Sequence, residues 1–176
     1  ASEQIPTETY SVGQRIKCYV VEVRKTTKGA QILVSRTHPG LLKRLFELEV
    51  SEIYEGVVEL KSVAREPGRR SKIAVYSRDA NVDSVGACVG PKGSRVQNIV
   101  SELQNEKIDI VKWDEDPAVY IANALSPAQV ISVTVDEGEK SSSVVVPDYQ
   151  LSLAIGKAGQ NARLAAKLTN WKIDIK

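Results

Sequence analysis

Methionine is absent from this chain, and histidine, phenylalanine and cysteine are scarce: one His (His38), one Phe (Phe46) and two Cys (Cys18, Cys88) among 176 residues. A single imidazole leaves little for zinc ligation or histidine-based acid–base catalysis. The two cysteines are 70 positions apart and form neither a C-x-x-C pair nor a disulfide framework. A reducing, cytoplasmic setting fits them best. No apolar run approaches the ~20 residues of a membrane helix. The start, Ala1-Ser2-Glu3-Gln4-Ile5-Pro6, lacks the basic-then-apolar order of a signal peptide. With no initiator, the chain reads as a fragment of something longer. Phosphate-binding motifs are missing too. Gly86 leads to Pro91 where G-x-x-x-x-G-K-[ST] needs its second glycine, and no G-x-G-x-x-G occurs. These absences point away from an enzyme, a metal and a cofactor.

What is present supports packed cores in a soluble chain: 42% hydrophobic and 26% charged residues. The length allows one large domain or two to three small ones. The net charge of +2 is unevenly spread. Residues 1–78 hold 14 basic against 9 acidic residues, and residues 79–176 hold 10 against 13. A protein that coats nucleic acid through bulk charge would not look like this. Any nucleic-acid contact must be local and geometric.

Along the chain, residues 1–9 read as a loose lead-in. Partial alternation from Val12 to Val23, the turn Thr26-Thr27-Lys28-Gly29 and the run Gln31–Ser35 predict a β-hairpin. Pro39 opens a helix with Leu41, Leu42, Leu45 and Phe46 on one stripe. A short helix over 48–54 precedes strands 57–63 and 72–76, joined by the turn Glu66–Arg70. A helix capped by Asp83 follows, then Gly90-Pro91-Lys92-Gly93, then a helix capped by Ser94 and a strand from Lys107. After the acidic link 114–116, the same order returns: helix 118–125, strands 129–135 and 144–146, a helix capped by Asp148, Gly156-Lys157-Ala158-Gly159, helix 160–168 and strand 172–175.

That return is a duplication. Gly90 and Gly156 are 66 apart, and Lys107-Ile108-Asp109-Ile110 matches Lys172-Ile173-Asp174-Ile175 at an offset of 65. A G-x-x-G between helices has a physical use. The first glycine stops a helix in a conformation closed to other residues. The second lets a phosphate backbone approach the next helix's N-terminus, with its free amides and positive dipole end. Lys92 and Lys157 each add a mobile cation. The strand beyond forms the opposite wall, with isoleucines under unstacked bases, so the groove suits single strands.

The helix–GxxG–helix–strand unit resembles a KH domain of the prokaryotic, type II arrangement, whose GxxG loop clamps the backbone of four nucleotides. Val85–Gln97 with Lys107–Trp113 resembles the first KH domain of the NusA family of bacterial transcription factors, and Ala154–Ala165 resembles the second. Tyr10–Ile16 and Val34–Gly40 are similar to the latter part of that family's OB-fold barrel. The resemblance implies an α+β fold: a partial OB-fold barrel and connecting helix (1–47), a first KH domain (48–116) and a second (117–176), each KH domain a three-stranded sheet with helices on one face. It implies single-stranded RNA binding in transcription elongation, termination and antitermination. The implied partners are RNA, the RNA polymerase elongation complex (mainly through regions outside these residues) and other antitermination factors, with no membrane.

The expected RNA-binding residues are Gly90, Pro91, Lys92, Gly93, Ser94 and Arg95 with Lys107, Ile108, Asp109 and Ile110 in the first unit. In the second they are Gly156, Lys157, Ala158, Gly159, Gln160 and Asn161 with Lys172 and Ile173. Arg163 reads as structural or ion-pairing. The competing reading is a protein-docking scaffold, in which the loops only connect helices and the acidic segments 114–116 and 136–139 face a basic partner.

Overall fold

The computed structural model describes residues 1–176. Strands β1 (Tyr19–Thr26) and β2 (Gly29–Ser35) pair antiparallel as a separate two-stranded ribbon. Both its faces are largely exposed, and no barrel closes around it. The strand expected from Val12 starts only at Tyr19. The backbone of Lys17 is taken by side chains: its amide donates to Glu102 at 3.2 Å and its carbonyl accepts from Arg36 at 2.9 Å.

The lead-in is anchored, contrary to expectation. Ile5 and Glu8 are buried. Arg36, itself buried, donates to both carboxylate oxygens of Glu8 at 2.6 and 3.1 Å and to the Glu102 carbonyl at 3.0 Å. A charge this deep has to be paired and hydrogen-bonded, and the pairing fixes residues 3–8 to the rest of the chain.

Helix α1 (Pro39–Glu49) starts with His38 as its cap, the imidazole Nδ1 accepting from the Gly40 amide at 2.8 Å. It buries Leu41, Leu42, Leu45 and Phe46. Helix α2 (Ser51–Tyr54) leads to β3 (Val58–Glu66) and β4 (Arg70–Ser77). Then come α3 (Ser84–Val89), the first glycine loop, α4 (Ser94–Glu102) and β5 (Lys107–Lys112). The sheet order is β3-β4-β5, with β4 and β5 parallel. Val58, Ile73, Val75, Cys88, Ile99 and Leu103 share one core with the α1 residues. Helix α1, grouped with the N-terminal segment on sequence, thus packs within the first repeat. Its apolar stripe has no other place to be buried.

The second repeat copies this plan. Helix α5 (Pro117–Ala124) is capped by Asp116, which accepts from Ala118 at 3.0 Å. Strands β6 (Ser132–Asp136) and β7 (Ser141–Val145) follow, then α6 (Leu151–Ile155), the second loop, α7 (Gln160–Thr169) and β8 (Lys172–Ile175). The order is β6-β7-β8, again with the last pair parallel. Asp148 opens a single 3₁₀ turn rather than capping α6 directly.

The two repeats are not beads on a string. Ala64, Ala74 and Val111 of the first sheet lie in one apolar cluster with Tyr120, Ile121, Leu164, Ala165 and Leu168 of the second repeat. The last carbonyls of a helix need donors from outside it. The Leu168 carbonyl receives two, from Ser62 Oγ at 2.8 Å and Tyr120 Oη at 3.1 Å. The short link and this common core hold the repeats in one fixed relation.

Candidate nucleic-acid interface

Each loop is built from two glycines with different duties. Gly90 (φ 76°, ψ 173°) and Gly156 (φ 80°, ψ 168°) end α3 and α6 in a region closed to other residues. A Cβ on Gly90 would stand 2.7 Å from Arg95 Cγ and 3.0 Å from the Arg95 amide nitrogen. On Gly156 it would stand 2.7 Å from the Asn161 amide nitrogen. These glycines serve helix-to-helix contact inside the protein. Gly93 and Gly159 are left-handed (both φ 74°), and their open side faces outward. A Cβ on Gly93 would meet nothing within 4 Å, and one on Gly159 only Arg163 Nη1 at 3.9 Å.

The chain leaves each loop straight into a helix, with Gly93 and Gly159 in the cap position rather than Ser94. No side chain bonds the first-turn amides of α4 or α7, although the Ser94 and Gln160 amides already donate to the Pro91 and Lys157 carbonyls within the loops. Those amides and the helix dipole are what an anion recognises. Pro91, Lys92, Ser94, Lys157 and Ala158 are exposed around them, and Gln160 is half-buried. The third residue of each loop, Lys92 (φ 53°) or Ala158 (φ 55°), is left-handed without being glycine. The lysines therefore sit in non-equivalent positions, third in the first loop and second in the other.

Behind the loops, α3 packs beside β5 and α6 beside β8. Ile108, Ile110, Ile173 and Ile175 are half-buried against the two cores. Beside the second loop, Leu151, Leu153 and Ile155 remain 36–43% exposed. Each groove thus has an amide-rich, cationic lip and an apolar flank. Lys107 and Lys172 are exposed. Helix α4, about 13 Å long, lies between the first loop and the turn that leads into β5. Helix α7 lies likewise between the second loop and Lys172.

Three residues expected to touch RNA are committed elsewhere. Asn161 is fully buried, and its Nδ2 donates to the carbonyls of Leu125 (3.0 Å) and Ala154 (2.9 Å). Its counterpart Arg95 donates from Nη1 to the Ala87 carbonyl (2.7 Å) and to Glu52 of α2 (2.6 Å). Both lock the loop from behind by satisfying carbonyls of the preceding helix. Asp109 accepts from Arg70 Nε at 2.7 Å and from the buried Lys72 Nζ at 3.0 Å. Burial pushes the Lys72 ammonium down to about 8, with Asp109 partly offsetting the effect. Lys72 also donates to the Ser126 carbonyl at 2.7 Å, crossing to the second repeat. Asp174, the repeat counterpart of Asp109, is exposed.

One buried ion pair leaves no sign in the sequence, which marks Arg163 as ion-pairing without indicating its partner. Arg65 and Glu106 form a fully buried pair at 3.0 Å, and Glu106 further accepts from Gly68 and Ser71. Arg163 bonds both the second loop and Glu66. Neither partner lies near in sequence, so no local spacing signals them. Cys88 is buried, and burial raises its thiol to about 12, which makes it an inert core residue.

Residues 36–113 match the family described as NusA-like first KH domain, and residues 117–176 the NusA-like second KH domain. The chain is 71% identical over 175 residues to the transcription termination/antitermination protein NusA of Halalkalibacterium halodurans, covering 99% of this chain and 46% of that protein. Its identity to the Bacillus subtilis protein of that name is 69%, over 99% of this chain and 47% of the relative. For the Thermus thermophilus protein it is 56%, over 98% and 44%. The chain thus spans about half the length of these relatives. The crystal structure of APE1850 shares the fold, with a TM-score of 0.54 at 22% identity over 76% of this chain and 94% of that one. With both KH types present in order, and these identities along nearly its whole length, the chain belongs to the NusA family.

Proposed function

We propose that this chain binds single-stranded RNA along its two glycine loops, as the transcript-contacting part of a transcription termination and antitermination factor. The observation that carries this is the pair of outward-facing left-handed glycines, Gly93 and Gly159, each opening a helix that has no side-chain cap and lies beside an exposed lysine. A phosphate can reach the backbone amides there without meeting a side chain. The bases then lie over the apolar flank of α3 and β5 or of α6 and β8. Because the repeats share a core, one RNA crossing both loops meets the second at high effective concentration. RNA polymerase elongation complexes and antitermination factors are the proposed setting, in the cytoplasm and away from membranes.

The domain limits follow the same reading: the ribbon with its lead-in, a first KH unit taking in α1 and ending at 116, and a second from 117. We read the ribbon as part of an OB-fold barrel. The contacts are assigned to Pro91, Lys92, Gly93 and Ser94, and to Lys157, Ala158, Gly159 and Gln160.

The test is anisotropy titration of a labelled single-stranded RNA against a variant carrying Pro91→Asp, Lys92→Asp, Lys157→Asp and Ala158→Asp. All four side chains are exposed, so the fold persists while each loop repels phosphate. Affinity falls at least tenfold; unchanged affinity refutes the assignment.

Docking of a basic protein has one observation in its favour. A cleft of about 670 Å³ is lined by Tyr76 and Trp113 together with Asp79, Asp83, Asp114 and Glu115. A partner held there would be indifferent to reversal of the loops.

A further inference from the structure

We propose that Arg163 is a positioning residue for RNA, bracing the second glycine loop against the first KH unit and setting the geometry the phosphates meet. This deepens the RNA-binding reading and rests on it. Arg163 lies in the first turns of α7 and reaches in two directions. Its Nη1 donates to the Ala158 carbonyl inside the loop at 3.0 Å. Its Nε and Nη2 both donate to Oε1 of Glu66, at 3.2 and 2.5 Å. Glu66 is the last residue of β3, in the other repeat and 97 positions away. One planar fork therefore ties the loop, its own helix and the neighbouring sheet together, a geometry that a lysine's single ammonium does not reproduce.

Ala158 is where such a brace acts. It holds φ 55° with a Cβ attached, a conformation that L-residues adopt only against steric resistance. The Ala158 carbonyl, in the orientation this conformation gives it, accepts from Arg163 Nη1. The first loop has no equivalent. Gln97 stands 66 positions before Arg163, exposed and uncharged. Both loops are locked from behind within their own unit, by Arg95 and by Asn161. Only the second is also tied across the domain boundary, so its shape depends on how the two units dock.

The rival role for Arg163 is a bare cation that touches phosphate itself. The two roles differ in sign when Glu66 loses its charge. If Arg163 is a brace, Glu66→Gln loosens the loop, and RNA binds about two- to thirtyfold more weakly, the span for residues that act through a network. If Arg163 is a bare cation, Glu66→Gln frees the guanidinium and removes a nearby negative charge, so RNA binds more tightly. Arg163→Lys keeps the cation and loses the brace.

The experiment measures labelled single-stranded RNA binding to the whole chain by anisotropy, for wild type, Glu66→Gln and Arg163→Lys. In parallel, amide hydrogen exchange is followed without RNA at Gly159 and Gln160, whose amides donate to Gly156 and Lys157 in the loop. The expected result is weaker binding by both variants, faster exchange at both amides, and unchanged far-UV circular dichroism. Unchanged or tighter binding by Glu66→Gln overturns the brace, as does unchanged loop exchange. Failure of the wild type to bind RNA overturns the RNA-binding reading, and the brace with it; normal wild-type binding beside unaffected variants overturns the brace alone.

Discussion

The two glycines of one loop have different jobs, and alanine substitution separates them. In Gly159→Ala the new methyl enters open space, its nearest neighbour being Arg163 Nη1 at 3.9 Å. The left-handed backbone costs about 1–2 kcal/mol for a residue with a Cβ, and the stiffer unfolded chain returns about 0.4–1. The net loss is about 1 kcal/mol. In Gly156→Ala the backbone (φ 80°, ψ 168°) lies where only glycine is at ease, about 1–3 kcal/mol. The methyl also meets the Asn161 amide nitrogen at 2.7 Å and its Cβ at 2.8 Å. Asn161 has no room to retreat, because its side chain holds the Leu125 and Ala154 carbonyls. Overpacking of this kind adds about 1–3 kcal/mol. With the same return from the stiffer unfolded chain, the expected loss is about 3 kcal/mol, roughly 6–12 °C in melting temperature at this chain length. Urea unfolding followed by circular dichroism measures both variants. RNA anisotropy on Gly159→Ala, which stays folded, then asks whether the methyl keeps phosphate away. Equal stability losses for the two variants would refute the division of labour, and wild-type RNA affinity of Gly159→Ala would refute the close-approach argument.

Other perturbations have equally definite outcomes. Lys72 sheds its proton near pH 8 when folded, whereas an unfolded lysine holds it to about 10.4. Between those values the unfolded chain binds more protons, so this group makes stability rise with pH. Wild type should gain up to about 2 kcal/mol between pH 8 and 9.5 relative to Lys72→Met, as read from paired urea melts; a flat difference would show that Asp109 keeps the ammonium charged. Leu164→Ala should cost about 2–5 kcal/mol and melt both repeats in one transition, because Leu164 lies in the cluster they share; separate transitions reported by Trp113 and Trp171 would deny a common core. Cys88 is fully buried with its thiol raised to about 12, while Cys18 is half-buried. Thiol titration with an aromatic disulfide should therefore find one fast-reacting group in the native chain and two after denaturation; two fast groups at the outset would mean that the first core opens readily.

The repeat, both glycine loops and nearly every helix were legible in the sequence, because each leaves a local mark: apolar stripes at helical spacing, glycine pairs at one offset, a strand motif written twice. The roles of individual polar residues were not legible. Arg95 and Asn161 follow the loops at the position where a contact residue would stand, yet both face inward. What decides this is a carbonyl of the preceding helix, Ala87 or Ala154, joined by that of Leu125 after α5 for Asn161, and burial of such carbonyls appears only once the helices pack. Asp109 was misread for a similar reason. A strand aspartate next to isoleucines looks exposed until the register places Lys72 opposite it on β4. The lead-in was misread because its one strong partner, Arg36, lies 28 residues beyond Glu8.

That register also shows why two copies of one unit no longer share a polar pattern. On β4, Arg70-Ser71-Lys72 pair with Lys107-Ile108-Asp109, and on β7, Ser141-Ser142-Ser143 pair with Lys172-Ile173-Asp174. The first sheet is covered by α5 and α7, so a charge on that strand pair is held in low dielectric and has to be met by opposite charge. Lys72 and Arg70 meet Asp109 there, and Lys72 reaches on to the Ser126 carbonyl of the covering repeat. On the second sheet Ser132, Thr134 and Asp174 are exposed, and serines suffice opposite Asp174. Divergence between the copies thus follows from which face is covered, while the loops, exposed in both, keep their glycines. A change that undocked the repeats would leave each glycine loop intact and still weaken an RNA held by both, since the second contact would lose the fixed geometry that makes it intramolecular.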